Sequence, residues 1–180
     1  MEHPEGLLYR EDFISAKEEA QLLSELEALE FRAVVMHGQA ARRTVRMFGL
    51  DYDYEHGDLV PADPLPTSMS WLRDRCAEWM ERHPADLVQI LVSRYPAGAG
   101  IGWHRDAPMF GSRIAGVSLL APCRMRFQRT VQGTRSVAEL ELAPRSAYLL
   151  TGKARWSWQH SIPGTKGLRY SVTFRTLKKA

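Results

Sequence analysis

The sequence predicts an α+β chain that is mainly β, a β-sandwich or jelly roll braced by N-terminal helices. Three observations carry this. Two apolar stripes at helical spacing lie in the first half, at least six short strand-like runs fill the second, and turn residues punctuate those runs. Helices first and strands after is the α+β order. The 180 residues suffice for a sizeable core, and residues 1–180 are read as a single domain.

Taken in order, Gly6 to Arg10 is a short extended entry. Ser15 with Glu18 fits a capping box, and Ala20, Leu22, Leu23, Leu26 and Leu29 give the helix behind it one apolar side. Phe31 to Met36 is a candidate strand and His37-Gly38-Gln39 a turn. Ala41 to Tyr54 interleaves Arg42, Arg43 and Arg46 with Phe48, Tyr52 and Tyr54. Such a mixture can hold phosphates and stack bases, and it can equally be the solvated edge of a hairpin. Glu55 to Pro66, with one glycine and three prolines, is a loop. Ser68 to Arg82 is a second helix, with Trp71, Leu72, Cys76, Trp79 and Met80 as its core side. Strands are expected over Ile114–Leu120, Met125–Gln128, Val137–Leu142, Ala147–Leu150, Ala154–Trp158 and Leu168–Leu177.

Composition narrows the class. Ordinary proportions of apolar and charged residues argue for a folded domain rather than a disordered chain. A net charge of +3 permits a polyanionic partner without requiring one. Cys76 and Cys123 are far apart and belong to no Cys-x-x-Cys pair, so a reducing cytoplasm is the expected compartment. The MEHPEGLLYR start has no apolar core of a signal peptide, and no run reaches membrane-span length. No membrane partner is expected, and a monomer is the working assumption.

The chemistry concentrates in Ile90 to Asp106. A strand-like run ends at Pro96, three glycines follow, and His104-Arg105-Asp106 closes the stretch. In extended chain, residues i and i+2 face the same way, so an imidazole and a carboxylate point at one spot. These are two groups of a two-His-one-carboxylate iron site. His160, the only histidine beyond His104, is the candidate third. His3, His37, His56 and His83 read as exposed loop or terminus residues. In Leu168–Leu177, Arg169, Ser171, Thr173 and Arg175 share one face. The two arginines stand about 20 Å apart along the strand. They are two surface arginines of an edge strand, or forks for the opposite ends of a short dicarboxylate.

Together, Arg94-Tyr95-x-x-Gly98, His104-x-Asp106, His160 and Arg169 to Arg175 resemble the AlkB-like iron(II) and 2-oxoglutarate-dependent dioxygenases, over roughly Phe13 to Leu177. The resemblance implies a double-stranded β-helix, with His104, Asp106 and His160 acting through iron. It implies O2 and 2-oxoglutarate as co-substrates. Arg169 would hold the far carboxylate, Arg175 would lie near the chelating end, and Tyr95, Ser93 and Ser171 would make polar contacts. Residues 37–66 would form a substrate-recognition lid. Arg42, Arg43 and Arg46 would hold the backbone of a single-stranded or flipped-out nucleic acid, and Tyr52 or Tyr54 would touch the nucleotide. The implied activity is oxidative demethylation of N-alkylated bases in DNA or RNA, releasing formaldehyde, succinate and CO2. Two departures stand out. Ser93 replaces a family asparagine, and Ala107-Pro108-Met109 stands where acidic residues help select the damaged base. The second motivates an alternative, the same iron chemistry on a protein side chain or small molecule. A non-catalytic jelly-roll module is the reading from another class.

Overall fold

The structure, a computed structural model, describes residues 3–36 and 38–179, and the side chain of Met36 lies outside that description. The expected turn centre and lid start at His37 therefore lie outside the described residues. The strands are β1 (Leu7–Arg10), β2 (Arg32–Met36), β3 (Gln39–Phe48), β4 (Leu50–Tyr52), β5 (Leu59–Pro61), β6 (Gln89–Tyr95), β7 (Ile101–His104), β8 (Phe110–Leu120), β9 (Cys123–Val131), β10 (Thr134–Leu142), β11 (Ala147–Leu150), β12 (Gln159–Ile162) and β13 (Arg169–Leu177). The α-helices are α1 (Ala16–Glu27), α2 (Ser70–Trp79) and α3 (Gly152–Trp156).

Helix α1 begins where the sequence places it. Ser15 Oγ accepts from the Glu18 amide at 3.1 Å, and Glu18 accepts from the Ser15 amide at 2.9 Å. It stops at the Ala28 cap, short of Leu29. Helix α2 is entered through a 3₁₀ turn at Thr67–Met69 and ends before Met80.

A seven-stranded sheet runs β1-β11-β8-β13-β6-β3-β2, a four-stranded sheet runs β10-β9-β12-β7, and β4 pairs with β5. All pairings are antiparallel. This is a helix-braced β-sandwich, the class expected. Strand alternation divides the labour of the large sheet. On β13, Tyr170, Val172 and Phe174 pack with Leu22, Leu26, Leu72 and Cys76 beneath the helices. Arg169, Ser171, Thr173 and Arg175 face inward, toward a cavity. Beside that cavity, Phe110, Ile114, Met125, Phe127 and Leu142 form a second core.

Two local expectations differ. The loop over Glu55–Pro66 contains β5, which pairs with β4. Ala154–Trp158, expected as a strand, lies mostly in α3, and the strand there is β12. Five residues alternating Ala, Trp and Trp fit one helical turn as well as a short strand, so periodicity cannot separate them.

Candidate active site

The metal-ligating set is built by pairing rather than by sequence proximity. His160 on β12 lies directly opposite His104 on β7. Cross-strand partners hold their side chains close, and the two imidazole centres are 4.2 Å apart. Asp106, two residues past His104, brings its Oδ2 to 3.6 Å from His160 Nε2. One ligand atom from each of His104, Asp106 and His160 lies within 4.8 Å of the others. Gly100 lets the turn close against β12, because a Cβ there would sit 2.4 Å from the Ile162 carbonyl oxygen.

Protonation suits coordination. His104 Nδ1 is 2.8 Å from the Gly102 carbonyl, which can only accept, so Nδ1 carries the proton and Nε2 offers a lone pair. Burial is the main cause pushing His104 down. Burial also pushes His160 down to about 3, with His104 adding to it. Both rings are therefore neutral near pH 7. Burial opposes charge on Asp106, yet Arg175 and the two histidines hold its carboxyl below the usual range. Two neutral imidazoles and a carboxylate are the donor set for a ferrous ion with open positions.

The cavity around them has a volume of about 600 Å³. Arg169 and Arg175 both reach it. Arg169 is 1% exposed and donates to Ser118 Oγ through Nε at 2.9 Å, and its guanidinium lies 5.0 Å from the Tyr95 ring. Its Nη1 has no hydrogen-bond partner. Arg175 grips Asp106 and donates to Gln89 Oε1 at 3.0 Å, leaving Nε unpartnered. Ser93, Tyr95 and Ser171 line the same space. A wider depression beside Trp156 and Lys178 holds no metal-ligating cluster among the described residues.

The three arginines of β3 part company. Arg43 points into the cavity, donating to Ser93 Oγ at 3.0 Å. Arg42 instead bonds the Ala97 carbonyl at 3.1 Å, and Arg46 pairs with Asp63 at 2.6 Å. Neither lines the cavity. Tyr52 and Tyr54 do, edge to face with centres 5.2 Å apart.

Three residues that sequence reasoning missed shape the site. Arg155 on α3 is 2% exposed and donates to the carbonyls of Asp106, Ala107, Phe110 and Gly111 at 2.9 to 3.1 Å, pinning the chain just after the ligands. An arginine in an otherwise aromatic run was its only signal. Gln89 supports Arg175. Tyr148 lies across Gly116, where any Cβ would meet its ring at 2.4 Å, and it lines the cavity. Nothing local marks Tyr148, since it sits in a plain apolar strand.

This arrangement finds its counterpart in known proteins. A family model described as the 2OG-Fe(II) oxygenase superfamily matches residues 6–175. The chain belongs to that superfamily. It is therefore an oxidoreductase, a dioxygenase that uses Fe(II) and 2-oxoglutarate, with His104, Asp106 and His160 as its iron triad. It is 30% identical to the "Alkylated DNA repair protein ALKBH8 homolog" of Arabidopsis thaliana, over 89% of this chain and 51% of that protein. It is 30% identical to "tRNA (carboxymethyluridine(34)-5-O)-methyltransferase ALKBH8" of Mus musculus, over 91% of this chain and 25% of that protein. The chain thus spans about half the first relative and a quarter of the second. The mitochondrial "Alpha-ketoglutarate-dependent dioxygenase alkB homolog 7" of Mus musculus is 33% identical, over 83% of this chain and 64% of that protein. In fold, the chain is similar to OsALKBH1, with a TM-score of 0.70 at 14% identity, covering 98% of this chain and 100% of that one. This likeness carries the double-stranded β-helix expected of the family.

Proposed function

We propose that the protein removes N-alkyl groups oxidatively from bases in single-stranded or flipped-out DNA or RNA. The observation that carries this reading is the cavity itself, where two guanidinium groups flank the iron triad and tyrosines line the wall. The names of two relatives, one of alkylated DNA repair and one of tRNA, support a nucleic-acid substrate.

When bound, ferrous iron with 2-oxoglutarate and O2 hydroxylates a carbon while yielding succinate and CO2, and a hydroxylated N-methyl group leaves as formaldehyde. The chain's own residues fit these groups. Arg169, buried with an idle Nη1, holds the far carboxylate, and Tyr95 beside it adds a hydroxyl. Arg175 serves the chelating end, where it already orients Asp106. Ser171 and Ser93 contribute polar contacts from the same floor. Arg155 keeps the post-ligand turn in register, which would hold the Asp106 carboxylate in place for the metal.

Residues 37–66 act as the substrate lid. Within it, Tyr52 and Tyr54 offer flat faces to an extruded base, and such extrusion costs a few kcal/mol. Arg42 and Arg46 lie outside the cavity and would exchange the Ala97 carbonyl and Asp63 for phosphates, and residues 1–180 act as one domain. Two buried, unbridged cysteines suit the cytoplasm. The test is to incubate the protein with Fe(II), 2-oxoglutarate and N-methylated DNA and RNA oligonucleotides. Formaldehyde and succinate in equal amounts are expected. Succinate without formaldehyde from every oligonucleotide would end the demethylase reading.

A further inference from the structure

Arg43 carries a buried charge that no acid among the described residues neutralises. Alternation along β3 turns Arg43 inward with Val45 and Met47 and leaves it 4% exposed. Its one hydrogen-bond partner is the neutral Ser93 hydroxyl, and it forms no ion pair among the described residues. Its guanidinium lies 6.0 Å from the ring centres of both Tyr54 and Tyr95. A guanidinium held out of water needs an anionic partner.

The rest of the cavity does not provide one. Among the described residues, Asp106 is the only carboxylate lining it, against Arg43, Arg105, Arg169 and Arg175. The ferrous ion, Asp106 and the keto diacid together carry one negative charge, which Arg169 and Arg175 already more than offset. Ala107 and Pro108, on the wall just past Asp106, bring no acid. A substrate entering this space meets a positive field focused by low-dielectric walls.

We propose that Arg43 is an anion receptor for the substrate. The oxidised molecule is uncharged in its ring, carries an acidic oxygen group, either a carboxylate on the base or a nucleotide phosphate, and sets that group against Arg43. Bases made cationic by alkylation are refused by the same field. This inference rests on the dioxygenase reading of the site and narrows its substrate class.

The experiment uses the full chain loaded with Mn(II) and N-oxalylglycine, an inert analogue of 2-oxoglutarate. Binding is followed by tryptophan fluorescence, since Trp103 lines the cavity, and by calorimetry. The probes are 1-methyladenine (a ring cation near neutral pH), neutral 3-methyluracil and its carboxylate counterpart 3-methylorotate. The phosphate arm compares 3-methyluridine with its 5′-monophosphate. In one of these two neutral–anion pairs, the anion should bind about tenfold tighter or more, with 1-methyladenine weakest of all. The pair that shows the gain identifies the source of the anion. Arg43→Met should erase the preference, Arg43→Lys should restore part of it, and both should hold N-oxalylglycine within about twofold.

The assignment is overturned if 1-methyladenine binds tightest, if neither anion gains over its neutral partner, or if the gain survives Arg43→Met. It is equally overturned if Arg43→Met weakens N-oxalylglycine as much as the anion, which would make Arg43 a co-substrate ligand. The ranking of probes on the unmodified protein needs no variant to fold. Failure of N-oxalylglycine to bind at all would overturn the co-substrate reading together with this one. Its binding without charge preference overturns Arg43 alone.

Discussion

Arg169 shows how one residue reports its own purpose. Its Nε is spent on Ser118 while a fully buried Nη1 has no partner. An unsatisfied charged donor in a core is costly unless a ligand completes it. Arg169→Met should therefore weaken 2-oxoglutarate binding about tenfold or more, measured by calorimetry on the Mn(II) form, with Mn(II) affinity held. His160→Ala removes one of three donor atoms instead. It should abolish stoichiometric Mn(II) binding, read by electron paramagnetic resonance, and succinate release with it. Retained stoichiometric binding would contradict the triad.

At the scale of elements, the start of α1 and the short helix α3 make separate predictions. Glu18 caps α1 and is gripped by Nη1 and Nη2 of Arg75 on α2, at 2.8 Å each. Arg75 is the main cause lowering Glu18 from 4.5 to about 2. A carboxylate depressed on folding stabilises fully above its unfolded value and stops doing so as pH falls through the folded one. This contribution should fade between about pH 4.5 and about 2, and Glu18→Gln should flatten that part of the melting profile. The pair is a third exposed, so solvent screening keeps the loss near 1 kcal/mol. Helix α3 works through Arg155, whose guanidinium ties four carbonyls of the turn that carries Asp106. Arg155→Met should cost about 2–4 kcal/mol in urea denaturation and lower metal affinity, since the Asp106 turn loses its anchor.

For the whole molecule, the site holds uncompensated charge that ligands relieve. N-oxalylglycine at about a hundred times its dissociation constant, added to the Mn(II)-saturated protein, should add about 2.7 kcal/mol of stability. In a chain of this size, that raises the melting temperature by about 5–10 °C, and EDTA should reverse it. The outer core answers differently. Phe174 is fully buried beneath the helices, and Phe174→Ala should cost about 3–5 kcal/mol with or without ligands.

Much of this was legible in the chain. The capping box, the stripe of α1, the alternation of β13 and the pairing of His104 with Asp106 all depend on neighbours within a few residues. Backbone geometry fixes where such neighbours point, so spacing alone reveals them. His160 could be nominated by elimination and family likeness, yet only the pairing of β12 with β7 sets it opposite His104. The division of Arg42, Arg43 and Arg46 between cavity and surface, the turn of Ala154–Trp158 into helix, and the anchoring by Arg155 belong to the tertiary structure alone. Which face of a strand is inside, and which carbonyls lie within reach of a long side chain, depend on partners dozens of residues away. Local sequence determined the periodicities and the donor types, and packing between distant strands decided which of them meet.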